Sequence, residues 1–156
     1  MAQQPVLIDW NLGNFSVTYD EPTDRTANPA NFRLYSRWDY DWFRLEPRML
    51  DFYFLSRVSS RTGDQTQWTY SWHTLFEPRF FRFLQAYHEV FPLTEAEIRF
   101  LPQAYKFFIL NYVVREGARF FRPDLCSQFR RQAAHTYLPS FETMDVTPLL
   151  RLLDHG

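Results

Sequence analysis

At Pro47 the spacing of the apolar residues changes, and that change limits the fold more than any other feature of the chain. After it, Met49, Leu50, Phe52, Tyr53, Leu55 and Val58 keep one broad face apolar at helical spacing, and Pro47 suits a first helical position. Before it, apolar residues come in short blocks separated by turn formers. Val6–Ile8 reads as a short buried strand, Phe15–Tyr19 as its neighbour, and Phe32–Trp38 as a third strand with Phe32, Leu34, Tyr35 and Trp38 expected in apolar surroundings. Asp20–Asn31, with two prolines and little that is apolar, reads as an exposed hairpin loop.

Beyond the first helix, Arg61–Ser71 (RTGDQTQWTYS) breaks the pattern and helices resume. Pro78–Phe91 crowds Phe80, Phe81, Phe83, Leu84, Tyr87 and Val90 onto one side, and Pro92 stops it. Thr94 and Glu97 have the spacing of a capping box, which starts a long segment running to about Phe121. Pro102 lies inside that segment and is expected to kink or split it. Pro123–Tyr137 and the amphipathic tail Thr147–Leu153 complete the chain. The fold class is therefore α+β and mostly α, a small antiparallel hairpin sheet followed by a helical body. One domain over residues 1–156 is expected, with 6–46 carrying the polar loops and 47–156 the helices.

Seventeen basic residues face eighteen acidic ones, so no global field selects nucleic acid or an anionic membrane, and neither is an expected partner. The single cysteine, Cys126, permits no internal disulfide and speaks against a Cys-based metal site; it reads as a small packing group. Met1–Pro5 is short and polar, unlike a signal peptide, and no apolar run approaches the ~20 residues of a membrane span. A cytoplasmic setting is the expectation. His73, His88, His135 and His155 are too scattered for a metal spacing and read as surface or capping residues. Arg115, Arg119, Arg122, Arg130 and Arg131 read as a solvated helix face with ion pairs. The Phe-rich stripe of Phe80, Phe81, Phe83, Phe107, Phe108, Phe120 and Phe121 is assigned to the core. Part of that stripe, or of Trp38, Tyr40 and Trp42, is the alternative place for an exposed interface.

Two loops carry the candidate chemistry. In VLIDWNLGNF an apolar run stops at Asp9 and resumes after Asn14, with Gly13 to let the backbone turn, so a carboxylate and a carboxamide can face one spot. The same residue types suit an ordinary hairpin turn. In WDYDWF, Asp39 and Asp41 share one side of an extended segment, and closing the hairpin from Phe15 to Trp38 brings Asn14 beside Asp39. Several hard oxygen ligands in a small volume suit Mg2+, which retains waters and takes other ligands from one or two carboxylates and from substrate phosphates.

The ordered set Asp9-Trp-Asn-Leu-Gly-Asn14, a hairpin, Trp38-Asp39-Tyr-Asp41, and then Pro47 and Asp51 before an apolar helix resembles the C-terminal lobe of the aminoglycoside phosphotransferase and choline kinase family, of protein kinase-like fold. The match is close over roughly Val6 to Leu55 and one of type only beyond. The resemblance implies that Asp9 stands where the catalytic aspartate does. It implies that Asn14 and Asp39 hold Mg2+ on ATP, that Asp41 is a less uniform second acid at the metal, and that Asp51 ties the catalytic loop by hydrogen bonds. Leu7 and Ile8 stand where the family usually has histidine and glycine. The family's nucleotide-clamping lobe precedes the catalytic loop, yet only eight residues precede Asp9, and no Gly-rich phosphate loop occurs in the sequence. The implied function is transfer of the ATP γ-phosphate to a hydroxyl of a small molecule, by a lobe that is truncated and inactive alone. Its expected companion is a separate nucleotide-binding lobe or another protein. The alternative is a non-catalytic remnant that acts as a protein-binding module.

Overall fold

The computed structural model of the chain describes residues 2–8, 10, 12–19, 32–59 and 72–153. Asp9, the loop Asp20–Asn31, the break Arg61–Ser71 and His155 lie outside the described residues, as do the side chains of Val58 and Phe120.

Among the described residues, four strands, β1 (Gln4–Val6), β2 (Phe15–Tyr19), β3 (Phe32–Arg37) and β4 (Arg44–Glu46), form two separate antiparallel pairs. β2 and β3 make the hairpin, with Phe15 opposite Arg37 and Tyr19 opposite Phe32, and a register shift between Ser16 and Val17. The Ser16 and Ser36 hydroxyls meet across it at 2.7 Å. β1 pairs with β4, Val6 opposite Arg44. Sequence pattern gave no sign of β4, because three residues are too few to show alternation. β1 also ends sooner than expected, at Val6. Ile8 adopts φ 62°, and a left-handed residue cannot continue a ladder.

The hairpin corrects a second expectation. Phe32, Leu34, Tyr35 and Trp38 are exposed, Leu34 at 61% and Tyr35 at 74%. A two-stranded ribbon has no second layer to cover its faces, so alternation there does not produce burial.

The helical body follows a 3-10 turn at Arg48–Asp51 that Pro47 precedes rather than joins. Its helices are α1 (Phe52–Ser59), α2 (Pro78–Val90), α3 (Glu95–Phe108), α4 (Gly117–Phe120), α5 (Pro123–Gln132), α6 (Leu138–Ser140) and α7 (Thr147–Leu153). Thr94 and Glu97 close the expected capping box: Thr94 N–H donates to Glu97 Oε2 at 2.9 Å, and Glu97 N–H donates to Thr94 Oγ1 at 3.3 Å. Pro102 does not split α3. Its missing N–H costs about 3 kcal/mol or more, but Ile98, Leu101 and Phe108 on the same helix are fully buried, each contributing about 1.5–3 kcal/mol. The break comes later. Residues Ile109–Arg115 form a widened π-helical turn, closed by Glu116 N–H donating to Asn111 C=O at 3.0 Å, before α4 begins. No helix among the described residues is long and apolar enough to cross a membrane.

Aromatic rings fill the core. Phe52 meets Phe80 edge-on at 6.3 Å and Tyr87 at 5.1 Å, while Tyr53 stacks on Phe108 at 4.5 Å. Phe107, by contrast, is 40% exposed, so the expected core stripe is only partly inside. A buried hydroxyl cluster sits among the rings: Ser56 Oγ donates to Tyr53 C=O at 2.9 Å, lies 3.1 Å from Thr74 Oγ1 and bonds Tyr105 Oη. Their polar groups are thereby satisfied inside an apolar core.

Arg48 clamps the 3-10 turn to the head of α3. Its Nε and Nη2 donate to Glu97 Oε1 and Oε2 at 2.7 and 2.8 Å, and Nη2 also reaches Pro92 C=O at 2.6 Å. This bidentate pair holds the Glu97 carboxyl down from its ordinary 4.5 to about 2. Because the folded value lies below the unfolded one, the stability it contributes is present above pH 4.5 and lost as the pH falls through about 2. Arg48→Ala should lower unfolding free energy in urea by about 1.5–3 kcal/mol, and Glu97→Gln should flatten the acid limb of the stability profile. An acid limb unchanged in Glu97→Gln would contradict this assignment.

Candidate functional site

The two ladders determine how the candidate loops lie. Residues 7–14 join β1 to β2, and residues 38–43 join β3 to β4. At one end the loops are held by the Val6–Arg44 pairing, and at the other by the Phe15–Arg37 pairing. Trp38 N–H donates to Asn14 C=O at 3.0 Å, extending contact into the loops themselves. The segment that bears Asn14 and the segment that bears Asp39 therefore run side by side.

Among the described residues, each loop has a non-glycine residue in the left-handed region, Ile8 at φ 62° and Asp39 at φ 63°. For a β-branched residue this conformation is costly, and Ile8 is also buried. Such residues persist only where surrounding structure over-determines them, and they cluster at ligand and catalytic sites.

What holds Ile8 is Asp51. Its Oδ1 accepts the Ile8 N–H at 2.7 Å, from a residue only 9% exposed at the foot of α1. Burial pushes the Asp51 carboxyl above its ordinary range, while the Ile8 N–H and the charge of Arg37 pull it back. The guanidinium of Arg37 lies 5.4 Å from the Phe15 ring and 4.8 Å from the Tyr40 ring, so it bridges the start of β2 and the 38–43 loop. Trp10 stacks on Phe15 at 5.8 Å. Neither Arg37 nor Trp10 stood out in the sequence, because a lone arginine in a strand and a tryptophan in a loop carry no spacing signal.

Asn14 is buried at 9% exposure, whereas Asp39 and Asp41 are exposed. The expected side-by-side placement of Asp39 and Asp41 on an extended segment does not hold. Asp39 is left-handed, and Phe43 N–H donates to Tyr40 C=O at 2.9 Å, closing a tight turn with Asp41 at its corner. The strand rule that residues two apart point the same way has no force in a turn. Asp9 lies outside the described residues. Among the described residues, no three His, Cys, Asp or Glu side chains converge as a metal-binding group. Asn14 and Asp39 thus lie on adjacent segments, the first buried and the second facing solvent.

His88 Nδ1 accepts the Leu93 N–H at 3.0 Å, a cap beyond α2. Arg122 pairs with Asp124 at 2.7 Å on the surface, and Cys126 is buried. Lys106, the chain's only lysine, is paired with Glu142 between α3 and the turn Phe141–Thr143.

Comparison with protein-family models, with curated proteins and with solved structures finds no match to this chain.

Asp51 can be tested by splitting its charge from its oxygen. The folded-state pKa is raised, so the associated stability is present below the unfolded value and lost as pH rises through the folded one. Asp51→Asn removes the buried charge and keeps an acceptor for the Ile8 N–H, and should unfold at or above the wild-type temperature at pH 7. Asp51→Ala strands that N–H and should cost about 1–3 kcal/mol. Equal stability of the two variants would show that the Ile8–Asp51 bond contributes nothing.

Proposed function

We propose that the chain is the metal-binding, acceptor-side lobe of an ATP-dependent phosphotransferase acting on a small-molecule hydroxyl. The observation that carries this reading is the clamped pair of loops, each with a left-handed non-glycine residue, joined to α1 through Asp51. A plain hairpin turn needs neither the second ladder nor the strain.

In this reading Asp9 orients the acceptor hydroxyl and takes its proton. Asn14 and Asp39 hold Mg2+ through their side-chain oxygens, with Asp41 as a further acid facing solvent. When bound, the ion neutralises charge on the ATP phosphates. Asp51 is a positioning residue: its bond to Ile8 fixes the backbone immediately before Asp9. A phosphate-clamping lysine is not available from this chain, since Lys106 is engaged with Glu142. The nucleotide clamp therefore comes from a second lobe, and turnover by the chain alone should be slight.

A second reading, a non-catalytic protein-binding module, draws on one further observation. Leu34, Tyr35, Tyr40, Phe43 and Leu45 are all exposed near the two ladders, each at about half or more of its surface.

Titration calorimetry with ATP, with and without Mg2+, separates the two. Saturable binding that needs Mg2+ and is lost in Asp39→Ala is expected. Asp39→Gly provides a sharper variant, because glycine is at ease at φ 63°. It should melt no lower than the wild type while losing Mg2+-dependent nucleotide binding. Binding that survives both substitutions removes Asp39 from the metal site, and a folded chain that binds no nucleotide leaves the protein-binding reading in possession.

A further inference from the structure

A second site is suggested where the strand half meets the helical half. Trp42, Arg44, Asn111, Arg115, Glu116 and Arg119 line a surface cavity of about 220 Å3. Three arginines against one glutamate leave its lining with two positive charges in excess, on a chain whose formal net charge is -1.

The arginines are held so that donors remain for a ligand. Arg44 lies over Trp42 at 5.6 Å from the ring centroid, and among the described residues no carboxylate pairs with it. Arg115 and Arg119 each offer Nε to Glu116, at 3.0 Å to Oε1 and 3.1 Å to Oε2. Arg115 Nη1 also reaches Asn111 Oδ1 at 3.4 Å. Glu116 is largely buried while the two arginine side chains are about three-quarters exposed. The carboxylate thus acts as an inner anchor that leaves the outer guanidinium edges of Arg115 and Arg119 facing solvent.

The backbone beneath is itself unusual. The widened turn Ile109–Arg115 closes through Glu116 N–H to Asn111 C=O, five residues back. That bond sets Asn111, Arg115 and Glu116 around one rim instead of spreading them along an ordinary helix. π-helical turns of this kind occur frequently at functional sites.

We propose that this cavity binds a small molecule through a phosphate or carboxylate group, taken between Arg44 on the strand side and Arg115 and Arg119 on the helical side. Guanidinium groups suit both oxyanions, since their paired N–H donors match the spacing of two oxygens. The volume lies below the ~300–1,000 Å3 of pockets for drug-sized ligands, so the site takes a headgroup rather than a whole nucleotide. The site does not depend on the phosphotransfer reading, because none of its six side chains is given a role in that chemistry, Arg44 entering there only through its backbone pairing with Val6.

A cluster of surface ion pairs is the alternative, and Glu116 distinguishes the two. Phenyl phosphate, benzoate and inorganic phosphate are titrated calorimetrically into the full chain at low ionic strength, with folding of every variant checked by thermal melting. Saturable one-to-one binding of phenyl phosphate or benzoate is expected, weakened about tenfold or more in Arg44→Ala and in the exposed-site variant Arg119→Ala. Glu116→Gln should tighten binding, since it removes the competing carboxylate; an ion-pair cluster predicts no gain. Arg151→Ala, outside the cavity, should leave affinity unchanged. Preference for phenyl phosphate identifies a phosphate ligand, and preference for benzoate a carboxylate. No saturable binding of any of the three probes by the folded chain would overturn the proposal, as would affinities indifferent to Arg44→Ala and Arg119→Ala.

Discussion

The hydrogen bond from Ile8 N–H to Asp51 Oδ1 spans 43 residues of sequence and joins the strand-bearing segment to the foot of the first helix. It accounts for two features at once. A buried isoleucine in the left-handed region would relax if nothing held its amide, and a buried carboxylate would be intolerable without donors directed at it. Each compensates for the other's cost. The Arg37 charge favours the same carboxylate, so the anchor also involves the β2–β3 ladder.

The helical body reaches the loops by a second route, through stacked rings. Tyr53 on α1 stacks on Phe108 of α3, Phe108 stacks on Tyr112 at 5.2 Å, and Tyr112 meets Trp42 at 4.8 Å. Trp42 then carries Arg44 on its face. The ring series runs from the centre of the core to the turn that follows Asp39. The core of α3 and the 38–43 loop are thus joined by close-packed rings, without a direct contact between Phe108 and the loop being needed.

Much of the helical half was legible in the sequence, for identifiable reasons. The capping box at Thr94 and Glu97 is a local device whose partners lie within one turn, and the start of α3 follows from it. Pro78 opens α2 as the spacing implied. Misreadings came where non-local burial decided. Of the two outcomes expected at Pro102, a kink or a split, the split does not occur: α3 runs through it, with Ile98, Leu101 and Phe108 buried on the same helix. The alternation in Phe32–Trp38 was expected to bury one face, and the ribbon has no layer to bury it against. The extended reading of Asp39–Asp41 failed because a tight turn occupies that position.

By itself the sequence determined a strand-bearing first part followed by helices, the starts of α2, α3, α5 and α7, and the residue types on the two polar loops, since these depend on capping, spacing and turn chemistry within a few positions of each residue. Only the tertiary structure decided that β4 exists to pair with β1, that both loops are clamped at both ends, that Ile8 and Asp39 are left-handed, and that Arg44 meets Arg115 and Arg119 around one cavity. Those outcomes depend on contacts between residues far apart in sequence. Their energies arise from burial and pairing after the chain has closed, and no periodicity along the chain encodes them.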